Sequence, residues 1–321
     1  MSKLIIVLSV TLGSVLFGYL LRRISVFTSR EGADNAPRIS RDIKLVSMFV
    51  LNPIPVLDSF WRLPLSSETL YVLPLLGLLS LAVGAAGALV VNRLFHIPPK
   101  RAASVFVSGM FTNIVSFGGL TAYVFFGYEA YGLVMLINTF VSCTYCAVGF
   151  PISERIATGA TNPFAISPRL LAERPYLLIP ITTMAIGLIL NVAGVPQQGW
   201  LNVLSSVLII FIAAILGLSI GLTLRFSRLR DYRLEIFLII LIKFALVPLV
   251  LIPAGLLVGL PSVLGGLPFR VLCIVAFMPV AFNSLVPPAL YGFDLDLANS
   301  AWIVTTGALL VVLPVLFFTL V

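Results

Sequence analysis

FTNIVSFGG at residues 111–119 and PVAFNSLVPP at residues 279–288 are the two stretches that decide the fold. Each lies inside a segment that is long and apolar enough to cross a lipid bilayer. Each carries an Asn, a Ser and helix-breaking Gly or Pro near the middle of that segment. Lipid cannot hydrogen-bond freed backbone groups, so irregular backbone at this depth is tolerated only inside protein or beside a water-filled cavity. The two stretches therefore predict two interrupted helices beside a polar cavity.

The composition places both stretches in a membrane protein. The chain has 321 residues, of which 60% are hydrophobic and 10% charged, whereas soluble domains carry about 25% charged residues. The formal net charge is +8, but the basic residues fall in short gaps between apolar segments. They do not form a face with interleaved aromatic residues, so we expect the lipid bilayer, and not nucleic acid, as the partner.

Runs of about 20 apolar residues predict ten transmembrane helices, and hence an all-α polytopic membrane protein. Their approximate limits are 3–22, 42–61, 69–92, 102–126, 130–152, 176–195, 199–224, 234–260, 270–292 and 298–320. The first run is followed by Arg22 and Arg23 and not by a small-residue cleavage site, so we interpret it as a retained span.

The positions of Lys and Arg predict the orientation. With the N-terminus outside, sixteen of the 20 basic residues fall in inner connections. Lys3, Arg62 and Arg270 fall on the outer side, and Lys243 lies inside a span. An excess of basic residues marks cytoplasmic loops. We therefore expect a multi-pass protein of the cell membrane with both termini extracytoplasmic.

The ten predicted spans divide into two repeats of five, residues 1–152 and 176–321, joined by a cytoplasmic linker at residues 153–175. Because five is odd, the second repeat is expected to be inverted relative to the first. Asn113 corresponds to Asn283 at an offset of 170 residues. Interruptions at corresponding places in two inverted repeats are typical of the substrate site of a secondary transporter.

The two interruptions supply groups that suit an anion. The N-terminal end of a half-helix presents free N–H groups and the positive end of its dipole. The carboxamides of Asn113 and Asn283 can donate hydrogen bonds, and Ser116 and Ser284 can add hydroxyl groups. The Asn side chains either contact substrate or cap the broken helix ends. The predicted helix-breaking residues at these two places are Gly118, Gly119, Pro279, Pro287 and Pro288.

Lys243 is the only charged residue predicted near the middle of a span, where a charge is costly and points to a function. It is a candidate for a proton-coupling site, a fixed replacement for a sodium ion or the partner of a carboxylate; snorkelling along a cavity wall is the alternative. Asp58, near the outer end of the second span, is the candidate partner. Asn52 and Pro53 interrupt that span, either as cavity lining or as a simple kink.

Other residue patterns argue against enzymatic and metal-binding functions. Cys143 and Cys146 have the spacing of a zinc or redox pair, but they lie within an apolar span, and the lone His96 lies in a loop. We expect no metal and no cofactor. The sequence contains neither a phosphate-binding loop nor a nucleophile with a base in its spans, so we expect neither ATP coupling nor an enzyme.

Smaller polar and glycine motifs predict packing between helices. Asn138 and Asn299 are expected to form interhelical hydrogen bonds, and two pairs of glycines are expected to let helices approach closely. These pairs are Gly84 with Gly87, and Gly217 with Gly221.

The chain resembles the auxin efflux carrier family. Residues 278–284, MPVAFNS, followed by Leu290-Tyr291-Gly292, are similar to the ninth-helix signature of that family, and Asn113 is similar to its companion site. Further similar stretches are 187–191, 219–224, and Lys243 followed by Pro248. Ser116 stands where the family usually has a second Asn, and Gly119 and Leu120 where it usually has a Pro. The fourth-span interruption is therefore expected to be a Gly-based unwinding.

This resemblance implies transport of a small organic anion through fourth and ninth helices that cross at their breaks, in a bundle related to bile-acid symporters. It also implies an elevator-type mechanism, in which one domain slides past a fixed scaffold, and a possible homodimer. The alternatives are a sodium-coupled symporter of the bile-acid type, a channel or receptor on the same fold, and a membrane enzyme. Proton coupling or uniport is favoured over sodium coupling because no acidic residue accompanies either break.

Overall fold

The computed structural model describes residues 1–22, 38–40, 42–43, 45–62, 68–159, 179–223 and 229–321. Within these ranges the chain is helical almost throughout and contains no β-strand. Five segments are long and apolar enough to cross a membrane: Ser2–Leu21, Thr69–Leu94, Gly199–Leu222, Leu229–Leu257 and Leu295–Leu320. Large apolar side chains lie on the outer faces, as in Leu257, which is 87% exposed. Such surfaces suit lipid, so the all-α membrane fold is confirmed.

The α-helices are numbered in chain order. The first nine are α1 (Ser2–Leu8), α2 (Ser14–Leu21), α3 (Pro53–Arg62), α4 (Leu73–Leu94), α5 (Pro99–Met110), α6 (Leu120–Phe126), α7 (Tyr128–Ile137), α8 (Val141–Thr144) and α9 (Phe150–Thr158). The others are α10 (Ile179–Val192), α11 (Gly199–Thr223), α12 (Arg233–Leu241), α13 (Val247–Leu257), α14 (Leu267–Ala276), α15 (Val286–Tyr291), α16 (Leu295–Gly307) and α17 (Leu309–Leu320). Short 3₁₀ turns occur at Glu68–Val72, Leu229–Tyr232, Leu260–Ser262, Leu264–Gly266 and Phe282–Leu285.

The predicted spans outside the five long segments correspond to shorter or interrupted helices. The fourth predicted span is divided between α5 and the helical segment Ile114–Phe126, and the ninth between α14 and the helical residues 282–291. The fifth is divided between α7 and the continuous helical residues 141–158, which comprise α8, a π-helical turn and α9. The number of ten crossings stays a prediction, and residues 160–175 of the predicted linker lie outside the described residues.

In the described part of the chain, five π-helical turns widen the helices, and proline accounts for three of them. The turns are Ser9–Gly13, Ser47–Leu51, Ile114–Gly119, Tyr145–Gly149 and Ile242–Leu246. Pro53, Pro151 and Pro248 each follow a π-helical turn by two residues. Proline lacks an N–H and its ring clashes with the carbonyl four residues earlier, and in all three cases that carbonyl lies in the widened turn. The chain therefore passes these prolines while remaining helical.

The helices pack in two groups. The small group contains α1, α2, α3, α10 and α11, in which α11 packs along α2 and α3, and α10 packs along α3. The large group contains α4–α9 and α12–α17, in which α5 packs against α4, α9 and α16. The groups meet where α3 contacts α7, where α11 contacts Ile114–Gly119, and where α1 contacts α6 and α17.

Glycines allow close approach within each group. A Cβ atom on Gly18 would lie 2.1 Å from the carbonyl oxygen of Leu218, and one on Gly221 would lie 2.1 Å from that of Val15. In the large group, a Cβ atom on Gly84 would lie 2.2 Å from the carbonyl oxygen of Gly109. The predicted packing role of these glycine motifs is confirmed, because any side chain would separate the helices.

One end of the molecule, called the Arg62 end, collects the three basic residues that were predicted to lie outside. Lys3 Nζ donates to the carbonyl oxygen of Phe125 at 2.7 Å. The guanidinium carbon of Arg62 lies 5.7 Å from the ring centroid of Tyr128, and that of Arg270 lies 5.7 Å from the ring centroid of Phe126. The three basic side chains therefore surround Gly127, the single residue that connects α6 to α7.

Both chain termini lie at the Arg62 end. Lys3 contacts it directly, and the ring of Phe317 near the C-terminus packs 5.3 Å from the ring of Phe125.

The opposite end, called the Arg101 end, is held by a charged cluster. Arg101 Nη1 lies 3.2 Å from Glu235 Oε1, and its Nε lies 3.6 Å from Asp294 Oδ2. The Tyr232 hydroxyl donates to Asp294, whose carboxylate also accepts from the backbone N–H of Leu297 at the start of α16. These contacts join the starts of α5, α12 and α16, all within the large group.

Candidate functional site

The two interrupted helices meet at their breaks. Thr112 and Val280 form an isolated antiparallel bridge, in which the N–H of Asn113 donates to the carbonyl of Pro279 and the N–H of Ala281 donates to the carbonyl of Phe111, both at 2.9 Å. Each break therefore satisfies backbone groups that the other leaves without a helical partner. This is how irregular backbone persists at a depth where lipid offers no hydrogen bonds.

The first break lies at residues 111–113, before the glycines that were expected to cause it. Helix α5 ends at Met110, and Phe111 has extended backbone angles of φ −86° and ψ 122°. Gly118 and Gly119 lie beyond the break in the π-helical turn Ile114–Gly119. A Cβ atom on Gly118 would approach Met278, and one on Gly119 would approach the ring of Tyr131, at 3.2 and 3.1 Å. These glycines serve close packing, and the Gly-based unwinding is a wrong prediction.

The second break lies at residues 278–281 and contains Pro279. Pro287 and Pro288 lie beyond it, in the first turn of α15. Proline at the start of a helix costs little, because the N–H it lacks has no acceptor within the helix there. These two prolines therefore start a helix rather than break one.

A cavity of about 150 Å³ lies beside this crossing. Its polar lining comes from Ser47, Asn52, Thr112, Asn113, Ser116, Tyr131, Asn138, Tyr145 and Asn283. Its apolar lining comes from Ile114, Val115, Leu120, Ala281 and Phe282, and from five residues of α11: Ile209, Ile212, Ala213, Leu216 and Ile220. The cavity thus lies between the polar crossing in the large group and an aliphatic wall in the small group.

Three of the four predicted substrate-binding residues line this cavity. Asn113, Ser116 and Asn283 are among the lining residues. Ser284 is not, because its side chain is fully buried and its hydroxyl has no hydrogen-bond partner among the described residues.

The two cavity carboxamides do not cap helices. Asn113 stands at the N-cap position of the segment that begins at Ile114, but its side chain makes no capping hydrogen bond. Within the described part of the chain, neither Asn113 nor Asn283 has a side-chain hydrogen-bond partner, although Asn113 is only 5% exposed. Both side chains line the cavity, so their amide groups are available to a ligand there.

The amino group of Lys243 lies immediately behind the cavity. It is 1% exposed, and its Nζ donates to the hydroxyl oxygen of Thr112 at 2.7 Å. Over the residues that the structure describes, it makes no ion pair. Lys243 lies in the π-helical turn Ile242–Leu246, which separates α12 from α13. Its position at the crossing differs from snorkelling, which would carry the ammonium group to a membrane interface.

Tyr145 completes the anchoring of Thr112. The N–H of Thr112 donates to the Tyr145 hydroxyl oxygen at 2.9 Å, and that hydroxyl donates back to the Thr112 carbonyl at 3.0 Å. The ring of Tyr145 stacks on Phe111 with centroids 4.0 Å apart. Thr112 therefore holds its hydroxyl between Lys243 and the cavity.

Sequence patterns did not identify Thr112 or Tyr145. Thr112 precedes Asn113 in the opening stretch, so a hydroxyl beside a predicted break was an available signal. Tyr145 has no such signal, because its contact with Thr112 spans 33 residues and depends on how the helices fold back.

Asp58 is not the partner of Lys243. Its side chain is fully buried and its Oδ1 accepts from Arg62 Nε at 3.4 Å and from Gln197 Nε2. These contacts place it near the Arg62 end and in the small group, whereas Lys243 lies at the crossing in the large group. The suggested Lys243–Asp58 pair is therefore wrong.

Asn52 lines the cavity, and the chain does not break there. The backbone stays helical at Asn52, where the π-helical turn Ser47–Leu51 leads into α3. The Tyr131 hydroxyl donates to Asn52 Oδ1 at 3.3 Å. Asn52 and Pro53 therefore follow a widened turn without a break in the helix, and Asn52 lines the cavity.

Asn138 and Asn299 do not make the expected interhelical bonds. Among the described residues, neither side chain has a hydrogen-bond partner, and Asn138 instead lines the cavity.

The crossing gathers groups that suit a negatively charged ligand. The helical segments that begin at residues 114 and 282 both start at the crossing, so their first N–H groups and positive dipole ends are directed there. Two unpartnered carboxamides and the charge of Lys243 add to this field. The described residues contain no group of three or more His, Cys, Asp or Glu side chains that would hold a metal. No protein-family model matches the chain, and no curated protein matches it either, so the chemistry of this crossing is the guide to its function.

Proposed function

We propose that the protein is a secondary transporter that moves a small organic anion, a carboxylate, across the cell membrane. The observation that carries this proposal is the pair of unpartnered carboxamides, Asn113 and Asn283, that face one cavity beside the buried charge of Lys243. The resemblance to the auxin efflux carrier family supports it, and membership of that family is part of the proposal.

The chemistry of the cavity favours a monocarboxylate with an apolar body. The carboxylate accepts hydrogen bonds from Asn113, Asn283 and the N–H groups at the helix starts, and Lys243 balances its charge. Opposite the crossing, Ile209, Ile212 and other aliphatic residues of α11 contact the apolar part. None of the described lining residues is charged, so a second carboxylate would lie there without a counter-charge from them.

Corresponding elements support ten crossings in two inverted repeats. The bridge pairs Thr112 with Val280, an offset of 168 residues, and at that offset Ser116 corresponds to Ser284. Helices α5 and α14 begin at Pro99 and Leu267, again 168 residues apart. Asn113 and Asn283 are 170 residues apart, so this pair is two residues out of register with the pairing of Thr112 and Val280 at the crossing. The two breaks are equivalent as backbone elements, but their carboxamides extend from different positions.

The two helix groups support an elevator-type mechanism. The crossing belongs entirely to the large group, and the aliphatic wall belongs to the small group, so sliding of one past the other would move the site. Helix α11 starts near the Arg62 end, and its first cavity residue, Ile209, follows ten residues or about 15 Å later. Helices α3 and α7 are in contact at the Arg62 end. Under the predicted orientation, this arrangement is a form closed on the outer side.

Sodium-coupled symport and a channel or receptor on the same fold are the alternative functions. Among the residues that the structure describes, no carboxylate lines the cavity as a ligand for a sodium ion, which favours proton coupling or uniport. The fixed cation Lys243 provides the positive charge that a sodium ion would otherwise bring.

Flux measurements in vesicles test the proposal. Purified protein is screened for thermal stabilisation by small mono- and dicarboxylates, and the best ligand is then followed in reconstituted vesicles. We expect accumulation above the electrochemical equilibrium of that ligand when a proton gradient is imposed. Flux that never exceeds this equilibrium points to a channel or a uniporter, and an absolute requirement for sodium at constant pH and potential points to the bile-acid type of symport. Stabilisation by no anion and flux of none would overturn the proposal.

A further inference from the structure

The cavity has a second group of polar lining residues, away from the crossing. Asn52 directly precedes α3 in the small group, Tyr131 lies on α7 in the large group, and both line the cavity. The Tyr131 hydroxyl donates to Asn52 Oδ1 at 3.3 Å. Among the described residues, Asn52 Nδ2 has no acceptor and the Tyr131 oxygen has no donor. These two side chains, called the Asn52–Tyr131 pair, therefore offer one free donor and one free acceptor.

The Asn52–Tyr131 pair lies nearer the Arg62 end than the crossing does. Helices α6 and α7 are joined by the single residue Gly127 and pack against each other, so they run in opposite directions. Tyr131 lies beside Gly119, and Asn138 at the end of α7 also lines the cavity. Tyr131 and Asn138 are seven residues apart, which corresponds to about 10 Å. The end of α7 thus returns toward the level of the crossing, and the pair lies beyond it.

The aliphatic wall of α11 shows that the cavity is elongated. Its lining residues extend from Ile209 to Ile220, which corresponds to about 16 Å along the helix. An anion whose carboxylate is bound at the crossing would have its apolar body along this wall. The end of the molecule away from the carboxylate would then lie near the Asn52–Tyr131 pair.

We propose that the Asn52–Tyr131 pair is a second, neutral subsite, and that the transported anion carries a hydroxyl group at the end away from its carboxylate. A hydroxyl group accepts a hydrogen bond from Asn52 Nδ2 and donates one to the Tyr131 oxygen. A keto or ether oxygen only accepts, so it would match the donor alone. This inference rests on the proposed function, and it names the substrate class of that site as hydroxylated monocarboxylates.

A charged group fits this subsite less well than a hydroxyl group does. None of the described lining residues is charged, so neither an ammonium group nor a second carboxylate would find a counter-charge there. The carboxylate of α3, Asp58, accepts from Arg62 and Gln197 and does not line the cavity. A methyl group in this place would leave the Asn52 amide without a partner.

Binding of matched ligands tests the subsite. Alkanoates with a terminal hydroxyl group are compared with unsubstituted and terminally methoxylated alkanoates of the same chain length, over a range of lengths, by thermal-shift titration of the full-length protein. At the best length we expect the hydroxy acid to bind about fivefold more tightly than the unsubstituted acid, the size appropriate to hydrogen bonds between neutral groups. The methoxy acid should be intermediate. Equal affinities of hydroxy acid and unsubstituted acid at every length would overturn the proposal.

Two substitutions at Asn52 and one control locate this preference. Asn52→Leu removes the amide and should abolish the preference for the hydroxy acid. Asn138→Leu replaces another carboxamide that lines the same cavity and should keep the preference. Asn52→Asp keeps the oxygen that accepts from Tyr131 and adds a negative charge, so it should prefer an alkanoate with a terminal ammonium group. An unchanged hydroxyl preference in Asn52→Leu, or in Asn52→Asp if the Leu variant does not fold, would contradict the proposal.

The subsite and the proposed function fail separately. If unsubstituted and hydroxylated acids are bound and transported equally well, the transporter stands and the subsite does not. If no carboxylate binds, the proposed function fails, and the subsite is tested with uncharged diols against alcohols of the same length. A diol preference that is lost in Asn52→Leu keeps the subsite, whereas equal binding or none removes it.

Discussion

At the scale of single residues, the site depends on which side chains lack a hydrogen-bond partner among the described residues. Asn113 and Asn283 extend unpaired carboxamides into the cavity, whereas Thr112 is bonded on three sides by Lys243 and by Tyr145. The two carboxamides are available for a ligand, whereas Thr112 is held in place by its hydrogen bonds. This division of roles gives different expectations for neighbouring positions in the same stretch.

Asn283→Ala should weaken carboxylate binding about tenfold or more, because a hydrogen bond to a charged group contributes about 1.5–3 kcal/mol. The matched control is the next residue, Ser284→Ala, whose hydroxyl is buried outside the cavity without a partner. We expect that variant to bind as the wild type does. Ligand titrations followed by thermal shift compare the two, and equal losses in both would remove Asn283 from the site.

Lys243→Met should also weaken anion binding and alter the pH dependence of transport, since it removes the buried amino group at the crossing. Thr112→Ser keeps the hydroxyl that accepts from Lys243 and should retain most of the affinity, whereas Thr112→Val should not. Affinity and pH profile are measured for all three variants. An unchanged profile in Lys243→Met would leave the lysine with a structural role alone.

At the scale of elements, the sequence predicted that the fourth and ninth spans are interrupted, but not how they pair. Hydropathy and the Asn residues located both breaks, since each is a local property of about ten residues. The pairing of Thr112 with Val280, the contact of Tyr145 with Thr112 and the separation of Asp58 from Lys243 join residues 33 to 185 positions apart. Contacts between residues so far apart in sequence depend on how whole helices pack together, and hydrophobic periodicity carries no information about that packing.

The interface between α2 and α11 is a second expectation at this scale. Gly18→Ala would place a Cβ atom 2.1 Å from the Leu218 carbonyl oxygen, so the helices must separate. We expect a loss of about 1–3 kcal/mol in stability, as for other overpacked sites, and a lower Tm. Gly13→Ala is the control, because nothing lies within 4 Å of its added Cβ atom. Equal Tm values for the two variants would show that this close approach is not required.

At the scale of the whole molecule, the three basic residues predicted outside gather at one end and the Arg101 cluster lies at the other. Both termini lie at the Arg62 end. The proposed sidedness follows from combining this geometry with the distribution of the remaining basic residues.

Labelling of single cysteines tests that sidedness. In a variant with Cys143, Cys146 and Cys273 replaced by Ala, we expect cysteines at Ser2 and Val321 to react with a membrane-impermeant maleimide on intact cells. A cysteine at Lys100, beside Arg101, should react only after permeabilisation. Reaction of Lys100→Cys on intact cells, with protection of the two termini, would reverse the proposed orientation.

The bridge between Thr112 and Val280 has a consequence for how the chain is made. Residues 111–113 leave the ribosome 168 residues before residues 279–281, which corresponds to about 10–30 s at ordinary rates of synthesis. During that interval the backbone groups of residues 111–113 in the fourth predicted span lack their hydrogen-bond partners in residues 279–281. We therefore expect this span to stay within the insertion machinery until the second break has been made. The first half of the chain made alone should be a substrate for quality-control proteases.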